Sequence, residues 1–204
     1  MLNRPSTPLQ EDRVHSEELF RGRFLHAFRD TVRLPDGAQA VREYVVHPGA
    51  VMVIPMLEGP DGNLRAVMER QFRYPVGQTM VEFPAGKLDP GEATLACAQR
   101  ELREETGYRA SQWARLGVLH PVIAYSTEFI EVWLAKGLTA GERALDGGEF
   151  LEVFDIALDP LFHACMNGEI TDAKTLVGAF WLQNHLQGRL PVQWQQVPAP
   201  ESMP

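Results

Sequence analysis

The stretch from Gly86 to Tyr108, GKLDPGEATLACAQRELREETGY, decides how the chain is read. It opens as a loop, continued from Pro84 and closed at Gly91. The run that follows, ATLACAQRELREET, holds no glycine or proline and stops at Gly107, so the pattern predicts a helix with a glycine stop. On that helix Glu101, Glu104 and Glu105 stand at positions i, i+3 and i+4, which fall on one face. Carboxylates crowded together repel one another unless a cation sits among them, and hard divalent ions such as Mg²⁺ take oxygen ligands of this sort. Leu95, Ala98 and Leu102 occupy the opposite face, which suits a helix half buried on a sheet.

A glutamate-rich helix face is ordinarily just a solvated face. The complete spacing argues otherwise. Gly86, Glu92, Arg100, Glu101, Leu102, Glu104, Glu105, Gly107 and Tyr108 reproduce the Nudix box, Gly-x5-Glu-x7-Arg-Glu-U-x-Glu-Glu-x-Gly-U with U bulky and apolar; Tyr108 stands where an aliphatic residue is usual. The chain therefore resembles the Nudix hydrolases.

The resemblance implies an α/β (α+β) fold, a mixed β-sheet sandwiched between helices, with the box as loop, helix and loop. It implies that Glu101 and Glu105 are ligands of Mg²⁺, with Glu104 a further ligand or a support, and that the backbone carbonyl of Ala85 is another donor. Arg100 would hold the glutamates in position and Glu92 would tie the loop to the helix. Gly86, Leu102, Gly107 and Tyr108 complete the frame. A diphosphate phosphorus is shielded by negative oxygens, so attack by water needs cations to neutralise that charge. More than one Mg²⁺ is expected, with Mn²⁺ as a substitute.

Outward from the box, Phe24 to Val46 offers two β-prone runs around Pro35-Asp36-Gly37, an antiparallel hairpin. Ala50–Pro55 and Leu64–Met68 flank the turn-rich Gly59-Pro60-Asp61-Gly62-Asn63, a second hairpin. Met80–Phe83, Val118–His120, Ile130–Leu134 and Leu151–Phe154 are further β-prone runs. Pro160–Met166 reads as helical, and so does Asp172–His185, where Ala173, Leu176, Val177, Phe180 and Trp181 recur at helical spacing and are expected to form the inward face. The expected organisation is a flexible tail over 1–12, an N-terminal β-strand region over 13–48 serving dimerisation and substrate, the hydrolase domain over 49–188, and a C-terminal tail over 189–204, rich in proline and glutamine.

The surroundings resemble one branch of the family, the ADP-ribose pyrophosphatases, over Gly22 to Leu186. The matching stretches are Gly22-Arg23-Phe24, His47-Pro48-Gly49-Ala50, Arg70-Gln71-Phe72-Arg73-Tyr74-Pro75, Glu82-Phe83-Pro84-Ala85-Gly86, Pro121, and Gly168-Glu169-Ile170 with Asp172-Ala173-Lys174-Thr175. What this implies is cleavage of ADP-ribose to AMP and ribose 5-phosphate by a homodimer. Arg73 is then the candidate for the phosphates, a guanidinium being able to donate two parallel hydrogen bonds to them; an ordinary exposed strand arginine is the other account. Glu82 and Pro121 join it as substrate-binding residues. Phe24 or Phe28 is the candidate for stacking on adenine, although core packing explains either aromatic equally well.

The general base in this branch sits on a later acidic loop, here Leu145 to Glu152. Glu149 is the candidate, either as base or as metal ligand, with Glu128 and Glu152 in reserve. One departure concerns Pro121-Val122-Ile123-Ala124-Tyr125-Ser126, where the branch carries a Pro-Ser-Pro-Gly-like segment. It leaves open another nucleoside diphosphate sugar, GDP-mannose among them, or a dinucleotide as substrate. A nucleotide sensor that binds without cutting is the reading from another class; such modules usually lose box glutamates, and all are present here.

Composition is in keeping with this. In 204 residues, 45% are hydrophobic and 23% charged, enough for one substantial core. A net charge of −8, with no dense lysine and arginine cluster, disfavours nucleic acid as a partner. The two cysteines, Cys97 and Cys165, form no Cys-x-x-Cys pattern and read as buried, reduced thiols, and the six histidines show no metal-ligand spacing. No signal-peptide pattern and no run approaching the ~20 apolar residues of a membrane span is seen, so no membrane partner and a cytoplasmic location are expected.

Overall fold

Residues 50–56, Ala-Val-Met-Val-Ile-Pro-Met, are an unbroken apolar run, and a strand of that kind is stable only with both faces covered. In the computed structural model, which describes residues 9–145 and 147–197, this run is the centre of strand β4 (Ala50–Glu58) and every residue of it is buried. Successive side chains point to opposite faces. Met52, Ile54 and Met56 join one core with Phe83, Leu161, Ala179 and Leu182, whereas Val51 and Val53 join another with Cys97, Ala98, Leu102 and Trp113. Helix α1 (Thr94–Thr106) thus covers one face, and α2 (Leu158–Met166) with α3 (Ala173–Leu186) covers the other.

The sheet has eight strands. Its main order is β10 (Leu151–Ala157), β5 (Leu64–Arg73), β4, β9 (Ile130–Thr139), β8 (Arg109–Leu119) and β11 (Trp194–Gln196), with β6 (Gln78–Glu82) on β5 and β7 (Ala85–Lys87) on β4. Only β4 and β9 run parallel, so the sheet is mixed. Along β4 the partners change: β7 and β9 flank Ala50–Met52, and β5 takes over from Met56. Pro55, which has no N–H for a ladder, sits at that changeover.

Four expectations are corrected here. The fully buried residues of α3 are Thr175, Gly178, Ala179 and Leu182; Leu176 and Trp181 of the expected face pack against the same core, whereas Phe180 is 62% exposed and Ala173 also faces out. A Cβ on Gly178 would lie 2.5 Å from Met52 Cε, so the smallest residues give the closest approach to the sheet. The loop from Pro84 contains β7, and the C-terminal segment carries β11, whose Trp194 ring receives Lys136 Nζ at 4.0 Å from its centre. Cys97 is buried, but Cys165 is only half-buried; both are free thiols.

A second unit comprises residues 9–48 together with Val122–Glu128. Its hairpin, β2 (His26–Arg33) and β3 (Gln39–Val45), turns at Gly37 with φ of 89°, and it is joined by β1 (Asp12–Arg21) on the open edge of β2. All of β1 is exposed, including Val14, Leu19 and Phe20. Tyr125 and Thr127 bond to the backbone of Val45 from the other segment, at 2.9 and 3.0 Å. Among the described residues no helix is long and apolar enough to cross a membrane.

Candidate active site

The loop before α1 is held to the helix through Arg100. Its guanidinium donates to both oxygens of Glu92, each at 2.9 Å, to Glu101 at 2.7 Å, to Glu104 at 3.2 Å and to the Lys87 carbonyl at 3.0 Å. Glu92 also accepts from the Asp89 N–H at 3.0 Å. The bonds from Arg100 hold the Glu92 carboxyl down at about 2, from an ordinary 4.5. Gly86 has no room for a side chain, since a Cβ there would fall 1.9 Å from the Glu101 carboxylate. At the far end Gly107 adopts the left-handed conformation, φ 76°, and its N–H closes the helix on Arg103 at 2.9 Å. Tyr108 follows, its N–H on Thr106 Oγ1 at 3.1 Å and its ring against the Val51 and Val53 core.

The box glutamates differ in their surroundings. Glu105 is buried, and one of its oxygens accepts the Ala85 N–H at 3.0 Å. Burial lifts its carboxyl well above the ordinary range, and the charges of Glu69 and Glu101 lift it further. Glu101 is raised as well, by burial first, against the pull of Arg100. Glu104 lies further out, bonded to Arg100 and, at 2.7 Å, to Arg103. Glu149, just after Gly148 with its φ of 98°, is near enough for its charge to act on Glu69, Glu101 and Glu105. Asp146 of the same acidic loop lies outside the described residues.

Beside these acids is a cationic pair. Arg73, at the end of β5, grips Glu82 of β6 through two bonds of 2.7 Å, and Lys174 of α3 bonds the same carboxylate. Burial alone would raise Glu82, yet the bonds from Arg73 and the charge of Lys174 outweigh it and lower its pKa. Lys174 also reaches Asp172 at 3.0 Å, the residue that caps α3 by accepting the Thr175 N–H at 2.9 Å. The Arg73 side chain keeps 38% of its surface exposed, so the residue is not sealed off from an incoming anion.

Sequence reasoning missed two members of this neighbourhood. Lys174 was noted within a matching stretch without a role. Glu69 of β5 was not noted at all, though alternation along the strand puts it on the face of Gln71 and Arg73. Its carboxyl is fully enclosed, and neither oxygen has a hydrogen-bond partner among the described residues.

Other candidates stand elsewhere. Glu152 pairs with Arg70 at 3.2 Å, on the face of β5 opposite Glu69. Pro121 lies in the turns after β8. Phe24, Phe28 and Glu128 belong to the second unit: Phe24 meets His47 edge-on at 5.5 Å, Phe28 stacks on Tyr44 at 6.0 Å, and Glu128 lies 3.9 Å from His47.

The donors fit a hard divalent cation in kind, being carboxylates confined together with too little positive charge to balance them. Among the described residues no group of three or more His, Cys, Asp or Glu stands close enough together to hold a metal ion as placed; Glu101 and Glu104 are instead paired with Arg100.

A NUDIX domain model matches residues 46–176, and a model of a nucleoside diphosphate sugar hydrolase N-terminal domain matches residues 11–45. An ADP-ribose pyrophosphatase of Bacillus subtilis is 37% identical over 177 residues, 86% of this chain and 94% of its own length. A methanol dehydrogenase activator of Bacillus methanolicus is 37% identical over 85% of this chain and 93% of its own. An ADP-ribose pyrophosphatase of Mycobacterium tuberculosis is 41% identical over 61% of this chain and 59% of its own. In fold, the crystal structure of an ADP compounds hydrolase covers 90% of this chain and 98% of its own at a TM-score of 0.79 and 22% identity. With its box on α1, its mixed sheet between helices and relatives matched along most of its length, the chain belongs to the Nudix family.

Proposed function

We propose that this protein hydrolyses the diphosphate linkage of ADP-ribose, giving AMP and ribose 5-phosphate. The observation that carries this reading is the gathering of Glu101, Glu105 and Glu149 in one charge-coupled group beside the partly exposed Arg73, in a chain similar over 86% of its length to an ADP-ribose pyrophosphatase. Bound Mg²⁺, or Mn²⁺ in its place, would neutralise the phosphate oxygens and make the attacking water more acidic.

Glu101 and Glu105, with the Ala85 carbonyl and with Glu104 as a further ligand or support, are the residues that would hold it, more than one ion being expected for a doubly shielded diphosphate. Arg100 keeps Glu101 and Glu104 from swinging apart. Arg73, steadied by Glu82, binds the phosphates. Glu149 takes the proton of the water as its oxygen bonds to phosphorus and the bridging P–O bond breaks, the electron pair leaving with the departing phosphate. For adenine, Phe24, which is 51% exposed, or Phe28 is the candidate stacking surface. A homodimer and a cytoplasmic location complete the proposal.

The test is release of monophosphate from ADP-ribose, other ADP-sugars, GDP-mannose and NADH, each with and without Mg²⁺. Cation-dependent cleavage fastest on ADP-ribose is expected. Faster cleavage of another member would keep the chemistry and refute the substrate, and binding without cleavage would make the protein a sensor.

A further inference from the structure

Glu69 is a charged residue where the strand around it asks for an apolar one. Its neighbours Val67 and Met68 are buried, and Glu69 itself is 0% exposed. Both oxygens lack a hydrogen-bond partner among the described residues. Buried carboxyls in folded proteins are normally bonded, so an unbonded one needs a reason.

The nearby cations do not supply it. Glu69 stands directly across from Glu82 in the β5–β6 ladder, and Arg73 donates to Glu82 while Lys174 donates to Glu82 and Asp172. Burial, then the charge of Glu82, raise the pKa of Glu69, Lys174 and Arg73 offset this only in part, and Glu149 adds to the rise. Seen from α1, Glu69 is the largest neighbouring charge felt by Glu105. Two buried acids from different elements, β5 and α1, are therefore close enough for the charge of Glu69 to bear on Glu105, and Glu69 sits across the ladder from Glu82 with both of its own oxygens unbonded. An acid kept only for packing would gain from replacement by a residue of the same shape without charge.

We propose that Glu69 is a further carboxylate of the cation-binding centre, supplied from the sheet to face Glu101 and Glu105 on the helix. The inference rests on the reading that this site works with a divalent cation, and it adds a residue that lies outside the box and outside the acidic loop. In this arrangement the cation is approached from two sides, and the cost of enclosing Glu69 is offset once the positive charge enters.

The experiment is Mn²⁺ binding followed by the electron paramagnetic resonance of the free ion, on the wild type and on Glu69→Gln, Glu69→Met and Glu105→Gln. Melting temperatures are taken in EDTA and in Mn²⁺. Both Glu69 variants should bind Mn²⁺ roughly tenfold or more weakly, as loss of a supporting group at a metal site does. They should melt in EDTA no lower than the wild type, and their gain in melting temperature on adding Mn²⁺ should shrink. Wild-type affinity in both Glu69 variants, with affinity lost in Glu105→Gln, would overturn the inference and leave the cation reading standing. No Mn²⁺ uptake by the wild type would overturn both.

Discussion

Gly86 stands directly against the Glu101 carboxylate, so close that a Cβ would fall 1.9 Å from both its carbon and its Oε1. The side chain of Glu101 cannot yield freely, because Arg100 holds it at 2.7 Å. Gly86→Ala should therefore push the carboxylate out of place while leaving the buried face of α1 intact. Turnover is expected to drop about 100-fold, the scale of an ångström-sized misplacement at a reacting centre. Steady-state kinetics alongside a melting curve checks it, and full activity in Gly86→Ala would show that the position of Glu101 is unimportant.

Glu105 and Glu149 are separable by what each loses. Glu105→Gln should lower turnover by about three orders of magnitude or more, as expected when a group central to transition-state charge is removed. It should cost little stability, since the amide can still accept the Ala85 N–H. Glu149→Gln should slow hydrolysis with Mg²⁺ affinity nearly unchanged if it is the base. A large fall in affinity, measured by calorimetry, would assign it to the metal.

Stability of the metal-free protein should depend on pH with an unusual sign. Burial and the charge of Glu82 raise Glu69 to about 8 in the fold against 4.5 in an ordinary setting, and Glu105 is shifted the same way. Between those values the folded chain keeps protons that the unfolded chain has released, so stability is greatest at the acid end of the window and falls as pH rises through it. Melting temperatures in EDTA should decline across the window, and less steeply in Glu69→Gln. A flat profile in the wild type would contradict the burial of an unbonded acid.

Gly178 permits the contact between α3 and β4. Gly178→Ala places a methyl group 2.5 Å from Met52 Cε, and overpacking of this kind costs about 1–3 kcal/mol. Because the obstructing atom is the end of a flexible side chain, shortening it should help. In denaturant melts the pair Gly178→Ala with Met52→Ala should lose less than the sum of the single losses, by about 0.5 kcal/mol or more. Strict additivity would mean that the two residues do not meet.

Much of this fold was readable before any coordinates. A helix without glycine or proline from Ala93 to Thr106, ended by Gly107, needs no tertiary information, and neither does the hairpin around Gly59 to Asn63. What escaped depends on approach distance. Of the large apolar residues expected on the inward face of α3, Leu176 and Trp181 do pack on the core, but the closest approach to the sheet is at Gly178, and hydrophobicity does not rank Gly178 or Thr175 as core. Strands β7 and β11 are three residues each, too short for alternation to register. In the site, the roles expected of the box residues come from the resemblance to the family, whereas Glu69 has meaning only once β5 and α1 are brought together. A single charge inside an apolar strand, on the same face as Arg73, was the available signal.

The division of β4 between two cores also governs how this unit comes apart. Val51 and Val53 answer to one side, Met52 and Ile54 to the other, through one continuous backbone. Neither helical layer can peel away and leave the strand half dressed without exposing apolar surface on its side, so loss of one layer weakens the seat of the other. The amides of β4 should accordingly exchange with deuterium only through opening of the whole unit, making this strand the slowest-exchanging part of its sheet.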